Sequence, residues 1–176
     1  RRYVVPSAPG KRFDGDTKVT DMLYSCYEAA EAGQAFDGKL QAIKERFQEI
    51  IRGLSLELSL DSEFEQIAAD FSAHAITFLS TSTFLSKYNT NSSPVISAAT
   101  FLGYEFVDAA EVIRFDKNGV LEAEKTNKLL GKRLAKCEKA VIPGFYGAED
   151  GGKVRTFSRG GSDVTGSLVA KAIMAD

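Results

Sequence analysis

The sequence predicts an α/β fold in which a mostly parallel sheet is covered by helices on both faces. Short β-branched or aromatic runs alternate along the chain with longer segments of helical periodicity. Residues that favour turns separate these segments. The chain has 176 residues, 44% of them hydrophobic and 26% charged, which is enough apolar material for one folded domain.

The first part of the chain, up to the third predicted helix, predicts one strand and three helices. Tyr3-Val4-Val5 is typical of a buried strand. Thr20-Asp21 is a good N-cap for a helix that ends at about Ala32. Apolar residues at three- and four-residue spacing predict a second helix from Asp37 and a third from near Asp61. The third helix is expected to bury Phe64, Ile67, Ala68 and Phe71.

The rest of the chain, from Thr77 onward, predicts alternating strands and helices. The segment from Thr77 to Ser93 is rich in serine, threonine and asparagine, and its organisation is left open. The elements that follow are a helix from Ser93 to Leu102, strands at 104–108 and 112–115, a turn at 116–119, a helix at 122–137, a strand at 140–143, a turn at 149–152 and a helix at 166–175.

Composition and charge exclude several classes of function. The net charge of −2 and the lack of a basic cluster argue against a nucleic-acid-binding protein. No apolar run is long enough to cross a bilayer, and no signal peptide is recognisable. His74 is the only histidine, so a Ser-His-Asp triad or a multi-histidine metal site is not expected. Cys26 and Cys137 are far apart, which indicates reduced, partly buried thiols in a cytoplasmic protein.

A glycine-rich stretch before the last helix is the strongest candidate site. Gly160 and Gly161 allow the backbone to approach a ligand closely. Ser162 and Asp163 are predicted at the N-cap of the helix, where free N–H groups bind anions. Arg159 offers a planar fork for a carboxylate or a phosphate. The alternative is a tight turn that caps a helix, with Arg159 as an ordinary surface charge.

A second candidate site lies where the first strand leads through a polar loop into the first helix. Ligands of α/β proteins bind at the carboxyl ends of strands. Ser7 at the strand end and Thr20 at the helix start could offer hydroxyl groups to one ligand. The alternative is that both side chains only cap backbone groups.

Four segments, in colinear order, resemble aspartate kinases. They are Val4-Val5-Pro6-Ser7-Ala8-Pro9-Gly10-Lys11 with residues 17–23 after it, Leu102-Gly103-Tyr104-Glu105-Phe106-Val107-Asp108-Ala109-Ala110, Val141-Ile142-Pro143-Gly144-Phe145-Tyr146-Gly147, and Thr156-Phe157-Ser158-Arg159-Gly160-Gly161-Ser162-Asp163. The resemblance implies part of the catalytic domain of an amino-acid kinase, which is a three-layer α/β/α sandwich. It implies transfer of the γ-phosphoryl group of ATP to the side-chain carboxylate of L-aspartate.

The resemblance also implies roles for individual residues in binding L-aspartate. Arg159 matches the arginine that clamps the substrate α-carboxylate. Asp163 matches a carboxylate that holds the substrate amino group or the local charge network, and Ser162 is expected to hydrogen-bond the same substrate. Ser7 and Thr20 match hydroxyl residues that line the aspartate pocket.

For phosphoryl transfer, the resemblance implies positioning and charge stabilisation without a covalent intermediate. Gly160 and Gly161 would let backbone N–H groups approach the transferring phosphoryl group. ATP with Mg²⁺ is implied, although no residue is assigned as a metal ligand. The expected partners are L-aspartate and ATP, with no nucleic acid or membrane, and a homo-oligomer of the full-length protein is compatible with the family.

The sequence also departs from the family pattern. The family's Lys-Phe-Gly-Gly strand and loop, its Trp-Thr-Asp nucleotide-binding segment and its ACT regulatory domains have no counterpart in residues 1–176. We therefore expect an incomplete domain with negligible activity by itself. Counting back from Leu102-Gly103, the family's usual glutamate, which pairs with the substrate ammonium, falls at Asn91. Either the alignment shifts in this region, or the full-length protein is impaired.

The leading hypothesis is therefore an aspartate kinase of the pathway to lysine, threonine and methionine. One alternative is a non-catalytic amino-acid-binding or regulatory relative that keeps the fold, which Asn91 and the segment from Thr77 to Ser93 motivate. Another is an amino-acid kinase with a different acceptor, which the four colinear matches disfavour.

Overall fold

A computed structural model describes residues 2–74, 102–157 and 160–174 of the chain. The described residues form two compact units. The first, the helical unit, contains residues 8–74. The second, the α/β unit, contains residues 2–7 and the described residues from 102 onward, and it holds every strand that the structure describes. The predicted helix from Ser93 to Leu102 lies outside the described residues except for its last position.

The helical unit consists of three helices, α1 (Val19–Glu31), α2 (Asp37–Gly53) and α3 (Asp61–His74). The helices begin at or within one or two residues of the predicted positions, because each carries an apolar stripe at helical spacing. The residues that share the core of this unit are Val19, Cys26, Tyr27, Leu40, Ile43, Phe64, Ile67 and Phe71. The ring centroids of Phe36 and Phe71 are 5.1 Å apart. Ala68, which was predicted to be buried, is only half-buried.

The α/β unit contains two three-stranded sheets in the part of the chain that the structure describes. Its strands are β1 (Tyr3–Val4), β2 (Glu105–Phe106), β3 (Arg114–Phe115), β4 (Ala140–Val141), β5 (Tyr146–Glu149) and β6 (Val154–Thr156). The first sheet has the order β1-β4-β2 and is entirely parallel. In the second, β3 pairs with β5 in parallel, and β5 pairs with β6 in antiparallel orientation. The predicted α/β class with mostly parallel strands is confirmed.

Several predicted elements of this unit need correction. Most strands are shorter than predicted, and β1 is half-buried rather than buried. Strand β5 occupies residues predicted to be irregular, because pairing on both sides organises them. A four-residue helix, α4 (Ala109–Val112), was not predicted, and α5 (Ala123–Leu134) is shorter than the predicted 122–137.

The last helix, α6 (Gly161–Ala172), begins five residues earlier than predicted. Its N-cap is Gly160 in a left-handed conformation with φ of 60°, so Ser162 and Asp163 lie in the first turn instead of at the cap. Helices α5 and α6 contribute to a hydrophobic core, in which Leu130 and Leu134 of α5 and Leu168 and Val169 of α6 join the buried residues Val107, Ile113, Ile142 and Tyr146. Among the described residues, no helix has both the length and the apolar character that crossing a membrane requires.

Candidate functional site

A loop of the α/β unit meets the start of α6. This loop lies between β4 and β5, contains Gly144 and Phe145, and contacts Gly161 and Ser162. A Cβ atom on Gly144 would lie 2.5 Å from the Cα atom of Ser162. A Cβ atom on Gly161 would lie 2.3 Å from the Cα atom of Phe145. Glycine is therefore required at both positions because the two backbones are in direct contact.

The backbone around this contact is fixed by hydrogen bonding and aromatic packing. The N–H of Phe157 donates to the carbonyl of Phe145 at 2.7 Å. Phe145 has a φ of 105°, a conformation that costs a non-glycine residue about 1–3 kcal/mol. The ring of Phe157 packs edge-on against Phe115, with centroids 5.0 Å apart. The surrounding contacts therefore hold a strained loop in one conformation.

The first turn of α6 presents backbone N–H groups and two polar side chains next to this loop. Gly160 offers no side chain that could cap the helix, which leaves N–H groups of the first turn available to a ligand. Asp163 is exposed and Ser162 is half-buried. The N-terminus of a helix of this length carries a partial positive charge. The arrangement can accept an anionic group on the N–H groups while the Asp163 carboxylate attracts a cationic one.

A hydrogen bond that the sequence did not reveal joins the end of β2 to β5. The hydroxyl of Tyr146 donates to the carboxylate of Asp108 at 2.8 Å, and Tyr146 is completely buried. The same Asp108 oxygen accepts from the N–H of Ala110 at 2.8 Å and caps α4. Asp108 therefore has a structural role: it caps α4 and holds Tyr146, which directly follows the loop of Gly144 and Phe145.

Charged side chains on the β5–β6 hairpin are also paired. Arg155 forms an ion pair with Glu149, and Lys125 contacts Asp150 at 2.7 Å. The hydrogen bond from Lys125 holds the pKa of Asp150 below its usual range. These ion pairs connect β5 to β6 and the hairpin to α5, and we assign them no catalytic or binding role.

In the helical unit, a buried arginine lies beneath the loop that precedes α1. Arg46 of α2 is only 4% exposed. Its guanidinium donates to the carbonyls of Thr17, at 2.6 Å, and Gly10, and it contacts the Asp16 carboxylate at 3.1 Å. A hydrogen bond from Arg12 is the main cause that holds the pKa of Asp16 far below its usual range. The sequence signal was a charge at position 46 within the apolar stripe of α2, three residues after Ile43.

The structure brings together some of the predicted site residues. Gly160, Gly161, Ser162 and Asp163 lie side by side at the start of α6, against the Gly144 loop. Arg159 and Asn91 lie outside the described residues.

Ser7 and Thr20, the two predicted hydroxyl donors, are both exposed. Ser7 belongs to the α/β unit, and Thr20 lies in the first turn of α1 in the helical unit, so it does not cap α1 as one alternative required. Their sharing of a pocket stays a prediction.

Neither cysteine has the character of a nucleophile. Both are free and buried. Burial raises the pKa of Cys26 to about 11, so its reactive thiolate form is scarce at neutral pH. In the described residues, no group of three or more histidine, cysteine, aspartate or glutamate side chains could hold a metal ion.

No profile of a known protein family matches the chain. Aspartokinase 3 of Bacillus subtilis is 33% identical over 189 residues, a match that covers all of this chain and 40% of that protein. The crystal structure of the Clostridium acetobutylicum aspartate kinase has a TM-score of 0.83 and 40% identity, and the match covers all of this chain and 39% of that one.

Escherichia coli aspartokinase III, solved in complex with aspartate and ADP, has a TM-score of 0.64. At 23% identity over 99% of this chain and 40% of its own, it supports the fold alone. The chain thus spans about two fifths of the length of the relatives it matches.

Proposed function

Because this chain is related along its whole length to aspartate kinases, we propose that it forms part of an enzyme that phosphorylates L-aspartate. The γ-phosphoryl group of ATP is transferred to the side-chain carboxylate of L-aspartate, and 4-phospho-L-aspartate and ADP are formed. The reaction belongs to the synthesis of lysine, threonine and methionine. The observation that carries this proposal is that every part of this chain matches the two bacterial enzymes, which share 33% and 40% identity with it.

The geometry at the start of α6 supports the proposal. Gly144 and Gly161 keep two backbones in contact, and N–H groups of the first turn lie beside them. Phosphoryl transfer needs groups that are positioned in advance and oriented toward the developing negative charge. We propose that the N–H groups near Gly160 and Gly161 approach the transferring phosphoryl group, and that Ser162 and Asp163 bind the amino-acid substrate.

The remaining roles come from the family resemblance. We propose that Arg159 clamps the α-carboxylate of L-aspartate and that Ser7 and Thr20 donate hydroxyl hydrogen bonds to the same substrate. Arg159 follows β6 closely in sequence and immediately precedes Gly160, the N-cap of α6. Its guanidinium can bind a carboxylate through two parallel hydrogen bonds.

ATP chemistry implies Mg²⁺. Magnesium in such enzymes is held by one or two carboxylates together with the phosphates of the nucleotide. The described residues contain no cluster of three or more such ligands that could hold the ion without the nucleotide.

The experiment that tests the proposal measures aspartyl hydroxamate, formed when hydroxylamine traps 4-phospho-L-aspartate. The protein produced from its complete gene should form the hydroxamate only with both ATP and L-aspartate. Arg159→Ala should abolish measurable aspartate binding, because loss of one partner leaves a carboxylate unpaired at a cost of about 2–5 kcal/mol. Hydroxamate formation that is equally fast in Arg159→Ala would refute the assigned role.

The alternative function is amino-acid binding without turnover. It is motivated by Asn91, which stands where the family usually has a glutamate that pairs with the substrate ammonium. Aspartate binding in calorimetry without hydroxamate formation would favour this alternative. Phosphorylation of a different amino acid in an acceptor screen would instead indicate another amino-acid kinase.

A further inference from the structure

The loop that joins β1 to α1 is held to α2 by one buried guanidinium. Arg46 contacts three separate groups of this loop, which are the carbonyls of Gly10 and Thr17 and the carboxylate of Asp16. The planar fork of an arginine can serve acceptors in several directions at once, whereas a lysine ammonium acts as a single charge. Arg46 therefore determines the path of the loop across eight residues, from Gly10 to Thr17.

A second set of contacts closes the loop and repeats its attachment to α2. Arg12 donates to both carboxylate oxygens of Asp16, at 3.0 and 3.2 Å, and contacts Glu49 of α2 at 2.8 Å. The N–H of Val19 donates to the carbonyl of Pro9 at 3.2 Å. The two ends of the loop are thus adjacent. Thr20 is the next residue after Val19, whose N–H forms this closing hydrogen bond.

Stability alone does not explain a charged residue at position 46. Burial of a guanidinium has a large desolvation cost, and apolar replacements of buried ion pairs are often as stable as the original or more stable. Arg46 instead fixes the geometry of a loop without regular secondary structure, which includes the flexible residues Gly10 and Gly15. The loop connects the two hydroxyl residues assigned to substrate binding, Ser7 and Thr20.

We propose that Arg46 is a positioning residue for the amino-acid substrate of the kinase, acting through the loop of residues 9–19 on the hydroxyl of Thr20. The inference rests on the function proposed above. Without the guanidinium, Gly10, Asp16 and Thr17 lose the side chain that binds all three of them. The loop, and with it the Thr20 hydroxyl, is then no longer held in a single position. The effect should fall on L-aspartate and not on ATP, because the loop that Arg46 holds leads directly into Thr20, which is assigned to the amino-acid substrate.

The test compares Arg46→Met and Arg46→Lys in the protein produced from its complete gene. Arg52→Met is the matched control, since Arg52 is an exposed arginine on the same helix. We expect kcat/KM for L-aspartate to fall by about tenfold to a hundredfold in Arg46→Met, because small displacements of substrate-positioning groups have effects of that size. Arg46→Lys should lose less, and KM for ATP should be unchanged in both variants and in the control.

A second measurement follows the loop independently of activity. Lys11 and Arg12 are trypsin cleavage sites within the loop. Cleavage at these residues should be faster in Arg46→Met than in the wild type, and unchanged in Arg52→Met. If Arg46→Met does not fold, Asp16→Asn replaces it, since this variant keeps the shape of the side chain and removes the charge that faces Arg46.

The outcomes separate this inference from the proposed function. If the wild-type protein phosphorylates L-aspartate and the Arg46 variants have an unchanged kcat/KM for L-aspartate, the positioning role is overturned and the proposed function is not. An equal loss for L-aspartate and ATP, together with lower thermal stability, would also overturn it, because that result indicates a purely structural residue. A wild-type protein that neither binds nor phosphorylates L-aspartate would overturn both. Selective loss for L-aspartate with partial retention in Arg46→Lys would support the inference.

Discussion

The contact between the Gly144 loop and the start of α6 can be tested by the addition of one methyl group. In Gly161→Ala, the new Cβ would lie 2.3 Å from the Cα of Phe145, 2.7 Å from its Cβ and 3.0 Å from the Cβ of Phe157. All three atoms lie on or next to the backbone, so rotation of a side chain cannot relieve the overlap. Overpacking of this kind costs about 1–3 kcal/mol and occasionally more. We expect the free energy of unfolding to fall by that amount.

Two neighbouring glycines provide matched controls. A Cβ on Gly166, in the middle of the same helix, would meet nothing within 4 Å. Gly166→Ala should therefore stabilise the protein by about 0.5–1 kcal/mol through helix propensity. Gly160 has a φ of 60°, and its added Cβ would come no closer than 3.8 Å to Asp163. Gly160→Ala should cost about 1–2 kcal/mol from backbone strain alone.

The assay is equilibrium denaturation by guanidinium chloride, followed by circular dichroism, on the protein produced from its complete gene. From the most to the least stable, the order should be Gly166→Ala, wild type, Gly160→Ala and Gly161→Ala. The last two variants should be close in stability if the Gly144 loop relaxes in part. Hydroxamate formation should be lost in Gly161→Ala even where the protein remains folded. If Gly161→Ala is as stable and as active as Gly166→Ala, the close backbone contact is wrong.

Two further predictions concern the units separately. In the α/β unit, the Tyr3 hydroxyl shares its proton between the carbonyls of Leu134, the last residue of α5, at 3.1 Å and of Cys137 at 3.2 Å. Tyr3→Phe should therefore lower the free energy of unfolding by about 0.5–1.5 kcal/mol, while the same change at the exposed Tyr24 should not. In the helical unit, the hydrogen bonds from Arg12 lower the pKa of Asp16 in the folded state. The unfolded state therefore binds this proton more readily, and the contribution of Asp16 to stability is complete above about pH 4 and is lost as the pH falls further. Asp16→Asn should flatten the acid side of the stability profile, measured by denaturation at several pH values, and an unaltered profile would contradict this reasoning.

The helices of the helical unit were predictable because the signals that form them are local. Apolar residues at helical spacing predicted α2 from Asp37 and α3 from near Asp61, and both begin there. Helix α1 begins at Val19 instead of after a Thr20-Asp21 cap. Each residue of a helix bonds to a neighbour four positions away, so the pattern and the structure involve the same short stretch of chain.

The strands and the short helix were harder to predict because their partners are distant. Strand β5 lies in a glycine-containing segment that resembles a loop, and it becomes a strand through pairing with β3 and β6. Helix α4 has only four residues and depends on Asp108, whose carboxylate also accepts from the Tyr146 hydroxyl, 38 positions away. Propensity within a short window contains no information about such partners.

By itself, the sequence determined the α/β class and the resemblance to aspartate kinases, and it predicted a site at the glycine-rich stretch before α6. Only the tertiary structure decided why Gly144 and Gly161 must be glycine, since Gly144 meets Ser162 and Gly161 meets Phe145 backbone to backbone, although each pair is well separated in the chain. It also decided the contacts of Arg46, whose hydrogen-bond partner Gly10 is 36 positions away. A sequence motif shows which residue types are present. The close contact between backbones at Gly144 and Gly161 and the burial of the Arg46 charge arise from the packing of segments that are distant in the chain, so a motif does not contain them.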